Sequence, residues 1–373
     1  MTTNNNIDLI EEELNEEISN DDLFNITSWG ADPPVRELIT QYKEGDIEKP
    51  ELQRKYVWTK KTASRFVESL LLGLPIPSIF LANQSDGRRL IIDGYQRIRT
   101  LSDFIEDGVW HGDDTEFRLS NSPIINQRWR NKKFTELNET DKRRLKQYTI
   151  HAIIFEQKQP HNDSGMFQVF ERINTGSTPL NDQEIRNCVY QGELNTILID
   201  LNKNNREWRV LFGNEKEDNR MRDVELILRF FAIFSTQVYN VDVKQISLKQ
   251  LLNKCMSDHI SPDDFTEHAH NLFSNTVHYI YDNLGSSAFY NLQNDLVKIR
   301  KRLYPTVFDS IMVATAIALS RNPNISVSDI KNKKMSLLRD TDYRESITQG
   351  TMKVEHIRTR ISKALYYLYN MSL

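Results

Sequence analysis

Apolar residues recur along this chain with two periods, and the place where one gives way to the other divides it. Up to about residue 190, short β-branched or aromatic runs alternate with stretches of helical spacing. Beyond that point the strand pattern fades and helical spacing takes over. The first stretch predicts a helix over 35–42 and an extended segment over 50–58. Thr59 stands where an N-cap belongs, ahead of a helix over 60–72 with Phe66, Val67, Leu70 and Leu71 on its apolar face. Gly73 follows at the C-cap position. Pro75 and Pro77 break the chain, 78–82 reads as a strand, and 83–87 turns it back into a second strand over 89–92. A tight turn at Asp93-Gly94 leads into a helix from Tyr95, with Ile98, Leu101 and Ile105 at helical spacing.

Further on, 110–119 reads as a small extended excursion and 148–155 as a strand with Ile150, Ala152 and Ile154 on one side. A helix opens at Ser164 or Gly165, carries Phe167, Phe170 and Ile173, and stops at Asn174-Thr175-Gly176. Asn181 and Glu184 have the spacing of a capping box, with Leu180 and Ile185 as the hydrophobic staple. Helices are then expected over 195–201, 222–234, 248–256, 265–283, 304–320 and 353–369. Mixed strands and helices followed by helices alone predict an α+β chain: an α/β lobe over 27–190 and an all-helical lobe over 191–373, preceded by an arm over 1–26.

Charge alters this picture at the N-terminus. Residues 1–24 hold eight acidic residues and no Lys or Arg, in a chain whose net charge is -4, so the remainder is mildly basic. The arm reads as a solubilising tail, and nucleic acid is neither excluded nor demanded by the rest. No run of about 18 apolar residues predicts a membrane span. Cys188 and Cys255 alone make neither a disulfide framework nor a zinc site, so a reduced cytoplasm is expected.

Strand, glycine turn and helix start make an anion site, because the first amides of a helix have no internal partner. Arg97 and Arg99 in the first turns conflict with the helix dipole unless something negative lies nearby. Four polar clusters interrupt apolar surroundings: Gln53-Arg54 with Trp58, then Asp93 to Arg97, Asn174-Thr175-Gly176, and Glu184 with Arg186-Asn187. No Walker A loop, GxGxxG, HExxH or GxSxG is present. Residues 128–146 are basic with Trp129 and Phe134 interleaved, but Glu136, Glu139 and Asp141 dilute the charge and favour a solvated helix face. Asp258-His259 imitates the start of an HNH nuclease motif. The helical patterns on both sides of it leave no strand pair for that motif.

The segments QRKYVW (53–58), ESLLLGLPIPSIFL (68–81), LIIDGYQRIRTL (90–101) and FERINTGSTPLNDQEIRN (170–187) together resemble the GmrSD restriction-endonuclease N-terminal-domain family. The family's hallmark is a DGQQR-type motif after a strand, and Tyr95 replaces its first Gln here. The resemblance implies a ParB/sulfiredoxin-like first lobe, with the Asp93 to Arg97 turn where ParB-like proteins hold nucleotide phosphates. It also implies a role in bacterial defence against foreign DNA. It carries Asp93, Gly94, Gln96 and Arg97 onto that motif, Gln53, Arg54 and Trp58 onto a QR…W element, and Asn174, Thr175, Glu184, Arg186 and Asn187 onto an NTG…EIRN element. Many members add an HNH nuclease domain, for which this sequence shows no counterpart.

Three readings stay open. In the first, the chain is a nucleoside-triphosphate-binding and hydrolysing module. Arg54, Arg97 and Arg99 grip phosphates, Asp93 and Gln96 position Mg2+ or water, and Gln53, Trp58, Gly94, Tyr95, Asn174, Thr175, Arg186 and Asn187 complete the nucleotide site, with Glu184 left mainly to capping. Its partners would be the nucleotide, DNA and a separate nuclease or defence subunit. In the second, the chain is a non-enzymatic DNA-binding regulator that uses the same arginines, residues 128–146, Arg358 and Arg360 on phosphate. In the third, it is a nickase. Neither the base of the nucleotide nor the oligomeric state is legible.

Overall fold

The computed structural model describes residues 7–8, 26–49, 56, 58–84, 86–111, 113–157, 164–173, 180–190, 192–258, 265–293 and 295–373. The chain divides into two units. One comprises Asn20–Leu180 with Asn187–Val189; the other comprises Met1–Ser19, Asn181–Arg186 and Tyr190–Leu373.

The first unit is built on a five-stranded mixed sheet. Its strands are β1 (Ile26–Ala31), β2 (Ile47–Glu48), β3 (Ile79–Asn83), β4 (Arg89–Asp93) and β7 (Ala152–Gln157), in the order β1-β7-β3-β4-β2. A separate two-stranded ribbon, β5 (Val109–Trp110) with β6 (Thr115–Glu116), forms the predicted excursion. β3 and β4 are antiparallel neighbours, whereas β7 runs parallel to β3, and β2 parallel to β4. Leu90, Ile91 and Ile92 are all buried, as an inner strand covered on both faces requires. Edge strand β1 is mostly exposed and carries no apolar run, which is why its sequence gave no strand signal.

Helix α1 (Val35–Glu44) buries Val35, Leu38 and Ile39. Helix α2 (Lys60–Leu72) begins where Thr59 accepts the Thr62 amide and ends at Gly73, whose φ of 74° suits glycine. Helix α3 (Tyr95–Ser102) runs on into a π-helical turn over Asp103–Asp107. These elements share one core with the sheet, to which Leu70, Leu81, Ile91, Ile98 and Phe104 belong. Over 128–146 the structure has a short 3-10 turn, Phe134–Glu136, and then helix α4 (Glu139–Gln147). Trp129 and Phe134 are buried in the core, so neither offers a face to a nucleotide base. Helix α5 (Ser164–Ile173) follows β7.

Helix α6 (Asp182–Val189) opens the helical part with the predicted capping box in place. α7 (Glu193–Asn204), α8 (Arg206–Phe212), α9 (Arg222–Thr236), α10 (Leu248–Asp258) and α11 (Phe265–Leu284) come next. α12 (Pro305–Arg321), α13 (Ile330–Arg339), α14 (Thr341–Thr348) and α15 (Val354–Ala364) complete it. α12 is buried almost all round, as a central helix must be. The sequence pattern did not give α8, α13 and α14. The expected all-helical lobe also holds an antiparallel hairpin, β8 (Tyr290–Leu292) with β9 (Ile299–Leu303). Four of the five β9 residues are exposed, so it lacks the alternation that marks a strand in sequence. Among the described residues no helix is long and apolar enough to cross a membrane.

Candidate functional site

β4 ends at Asp93 and α3 begins at Tyr95, so Gly94 makes the whole turn. It adopts φ 111° and ψ 0°. A Cβ there would stand 2.5 Å from Ile79 Cγ2 and 2.9 Å from Ile79 Cβ, so both the conformation and the space demand glycine. Its carbonyl accepts the amides of Arg97 and Ile98 at 3.0 Å each. Gly94 is the N-cap and has no side chain of its own with which to cap the helix, whose positive end faces the turn.

Arg97 is only 8 % exposed. Its guanidinium donates to the carbonyls of Pro77 at 2.6 Å and Ser78 at 3.1 Å, and to the Asp93 carboxylate. One side chain thus ties the turn to the entry of β3. Burial pulls Arg97 below the usual arginine value, against the opposing effect of Asp93. The Asp93 side chain stays 55 % exposed.

Arg99 is committed elsewhere. It pairs with the buried Asp103 at 2.7 Å, approaches His111 Nδ1 at 3.4 Å and hydrogen-bonds Tyr42. Burial raises the Asp103 carboxyl, opposed by the hydrogen bond from the His111 amide and by the Arg99 charge. Tyr95 is buried, with the Lys49 amine 4.8 Å from its ring centroid and Tyr42 hydrogen-bonded to it. Burial raises its hydroxyl well above the ordinary tyrosine range. The residue that departs from the DGQQR pattern is therefore a packing element at the base of the helix. Burial pulls the Lys49 amine down, while Cys188 raises it.

Gln96 accepts the backbone amide of Trp58 at 3.2 Å, and the Trp58 ring packs on Phe66 at 5.4 Å. Thr100 donates to the Gln96 carbonyl at 2.6 Å and bonds the Tyr56 hydroxyl at 2.7 Å. The structure thus joins Trp58, Asp93, Gly94, Gln96 and Arg97 around one turn. Gln53, Arg54, Asn174 and Thr175, like His259 of the nuclease-like stretch, lie outside the described residues.

Glu184 forms its reciprocal cap with Asn181 at 2.7 and 2.8 Å and lies 3.4 Å from Arg220. Arg186 is buried and donates to Gln183 and Glu225 at 3.0 Å each. Asn187 is fully buried. Arg360, offered above as a DNA contact, is also fully buried. It bonds the Thr351 carbonyl at 2.6 Å and lies 3.4 Å from Asp309, so it cannot reach phosphate in this fold. Within 128–146, Arg128 and the Trp129 indole both bond Asp141, and Lys133 pairs with Glu116. The stretch read as a solvated helix face is thus partly built into the core through Trp129, Phe134 and Asp141, while Arg128 stays half-exposed.

The sequence reading missed Lys49, Tyr42, Tyr56 and Asp103. Only Asp103 left a signal, since Arg99 and Asp103, like Asp93 and Arg97, stand four apart on one helical face. Among described residues, Glu207, His278 and Asp282 bring three ligand-type atoms within 4.8 Å of one another. His278 already spends its nitrogens on the two carboxylates, at 2.8 and 3.5 Å.

No curated protein and no solved structure gives a match to the chain. One family model does match, over residues 35–191: the GmrSD restriction endonuclease, N-terminal domain. That span holds the Asp93-Gly94 turn, the arginines that follow it and the Asn181–Asn187 segment. Residues 35–191, then, form a region that matches the GmrSD restriction endonuclease N-terminal domain family.

Proposed function

We propose that this domain is the nucleotide-binding module of a restriction-type defence system, and that it hydrolyses a nucleoside triphosphate at the Asp93-Gly94 turn. The observation that carries the reading is a half-exposed carboxylate, Asp93, held by Arg97 beside a helix whose N-cap is glycine. Phosphate oxygens suit the amides of such a first turn, where the helix dipole adds positive potential. Arg97 positions Asp93 and closes the turn against Pro77 and Ser78. Gln96 lies on the same turn with its side-chain oxygen on the Trp58 amide, and water orientation falls to it once nucleotide binding frees that oxygen. Arg54 remains the arginine for direct phosphate contact, because the guanidinium of Arg99 serves Asp103.

A single exposed carboxylate fits Mg2+, which keeps several waters and takes its remaining ligands from the nucleotide. When bound, Mg2+ would neutralise phosphate charge, and Asp93 is the residue that would hold it. The family description adds the restriction-system setting and with it DNA, or a nuclease subunit, as the further partner class.

The test is binding and turnover of the four ribonucleoside triphosphates by the purified chain, with and without Mg2+. Micromolar binding is expected, with turnover lost in Asp93→Asn. Absence of binding to all four, or equal turnover by Asp93→Asn, would reject the proposal.

A further inference from the structure

Ile7 and Asp8 belong to the helical unit and lie against its hairpin. Ile7 is buried and bridges Leu303 in parallel, and the Asp8 amide donates to the Leu303 carbonyl at 2.9 Å. The Asp8 carboxylate accepts from Arg300 at 2.9 Å and lies 3.8 Å from Arg302. Its side chain is 9 % exposed, whereas Arg300 and Arg302 keep 53 % and 54 % of theirs in solvent. An acidic residue is thus seated on an arginine pair that remains open to solvent on its other side.

β9 has no reason of its own to be basic. Its residues from Ile299 to Arg302 are all exposed, and only Leu303 at its end is buried. Together with Lys298 it places four cations in five positions. Asp295, in the connecting turn, does not neutralise them, since its carboxylate accepts the Val297 and Lys298 amides at 3.0 Å each. Arg300 and Arg302 share one side of the strand, about 6.8 Å apart, and Lys298 stands in the turn just before it. We infer that this hairpin is a ribbon for duplex DNA, and that Asp8 is its built-in competitor, occupying the arginine pair as a phosphate would.

Duplex DNA fits because its major groove admits a two-stranded ribbon and its phosphates attract exposed Arg and Lys without regard to sequence. Binding exchanges the Asp8 carboxylate for phosphate oxygens on Arg300 and Arg302, so the N-terminal residues set how much of the ribbon is available. The site lies in the helical unit, and its DNA binding can fail while nucleotide binding at Asp93 holds, or the reverse.

The experiment is fluorescence anisotropy with a labelled random-sequence 20-base-pair duplex and the full chain, over 50–200 mM salt. Arg300→Ala/Arg302→Ala should weaken binding at least tenfold at low salt and reduce the slope of log affinity against log salt by about 2. Asp8→Asn should tighten binding about two- to fivefold, the scale of a partly exposed ion pair. Ile7→Ser, which unseats the same contact without altering charge, should tighten it in the same direction. Neither change should matter in the Arg300→Ala/Arg302→Ala background. Unchanged affinity in the double arginine variant would overturn the ribbon, as would tighter binding of a single strand than of the duplex. No gain from either Asp8→Asn or Ile7→Ser would overturn the competitor.

Discussion

Arg97 reaches back one helical turn to hold Asp93, and with the same guanidinium it closes the backbone of Pro77 and Ser78. The pair joins the end of one strand to the start of its neighbour, and Gly94 between them has room only for hydrogen.

Removal of this clamp should be costly. In Arg97→Ala, two carbonyls and a carboxylate lose a charged donor, each such bond contributing about 1.5–3 kcal/mol when intact. Solvent reaches Asp93 and relieves part of the loss, so a net cost of roughly 2–4 kcal/mol is expected. Urea denaturation of Arg97→Ala against the parent chain measures it. A cost under about 0.5 kcal/mol, ordinary for a surface change, would contradict the clamp.

Gly94→Ala tests the turn itself. The new methyl would press into the Ile79 side chain, and alanine resists a φ of 111°. Strain and overpacking together should destabilise by about 2–4 kcal/mol. Thermal unfolding should fall by several degrees, and nucleotide binding should weaken even where the chain remains folded.

The helical unit depends on a different arginine arrangement. Asp309 accepts from Arg229 at 2.6 and 3.0 Å and lies 3.4 Å from Arg360, and all three residues are buried. Asp309→Ala would leave two buried guanidinium groups without their carboxylate, a change that costs about 3–5 kcal/mol. Chemical denaturation should show this loss, and Asp309→Asn should recover part of it.

Lys334 supplies a pH dependence. It is buried, donates to the Ser287 carbonyl, and burial pulls its amine down to about 7. The unfolded chain, with an ordinary lysine value near 10.4, holds its proton where the folded chain has released it. Stability should therefore rise with pH from about 7 to about 10, because the unfolded state binds more protons across that window. Lys334→Met should flatten this rise and stabilise the chain by roughly 1–4 kcal/mol at pH 7, with the difference closing towards pH 10. Denaturation midpoints at pH 7, 8, 9 and 10 distinguish the outcomes.

The sequence by itself determined the local elements of the site. Thr59 and Gly73 bounded their helix at the correct ends, and the Asn181–Glu184 spacing specified its capping box, because caps are short-range hydrogen bonds. The apolar run before Asp93 and the glycine after it marked the strand and the turn for the same reason. Which charges are free was decided by tertiary structure alone. Arg97, Arg99 and Arg360 look alike as letters, yet the first closes a strand entry, the second faces a buried aspartate and the third lies in a core. Hairpin strand β9 and the seating of Asp8 on its arginines were equally hidden. A strand exposed at four of its five residues has no period to read, and a contact across almost 300 residues leaves no local trace.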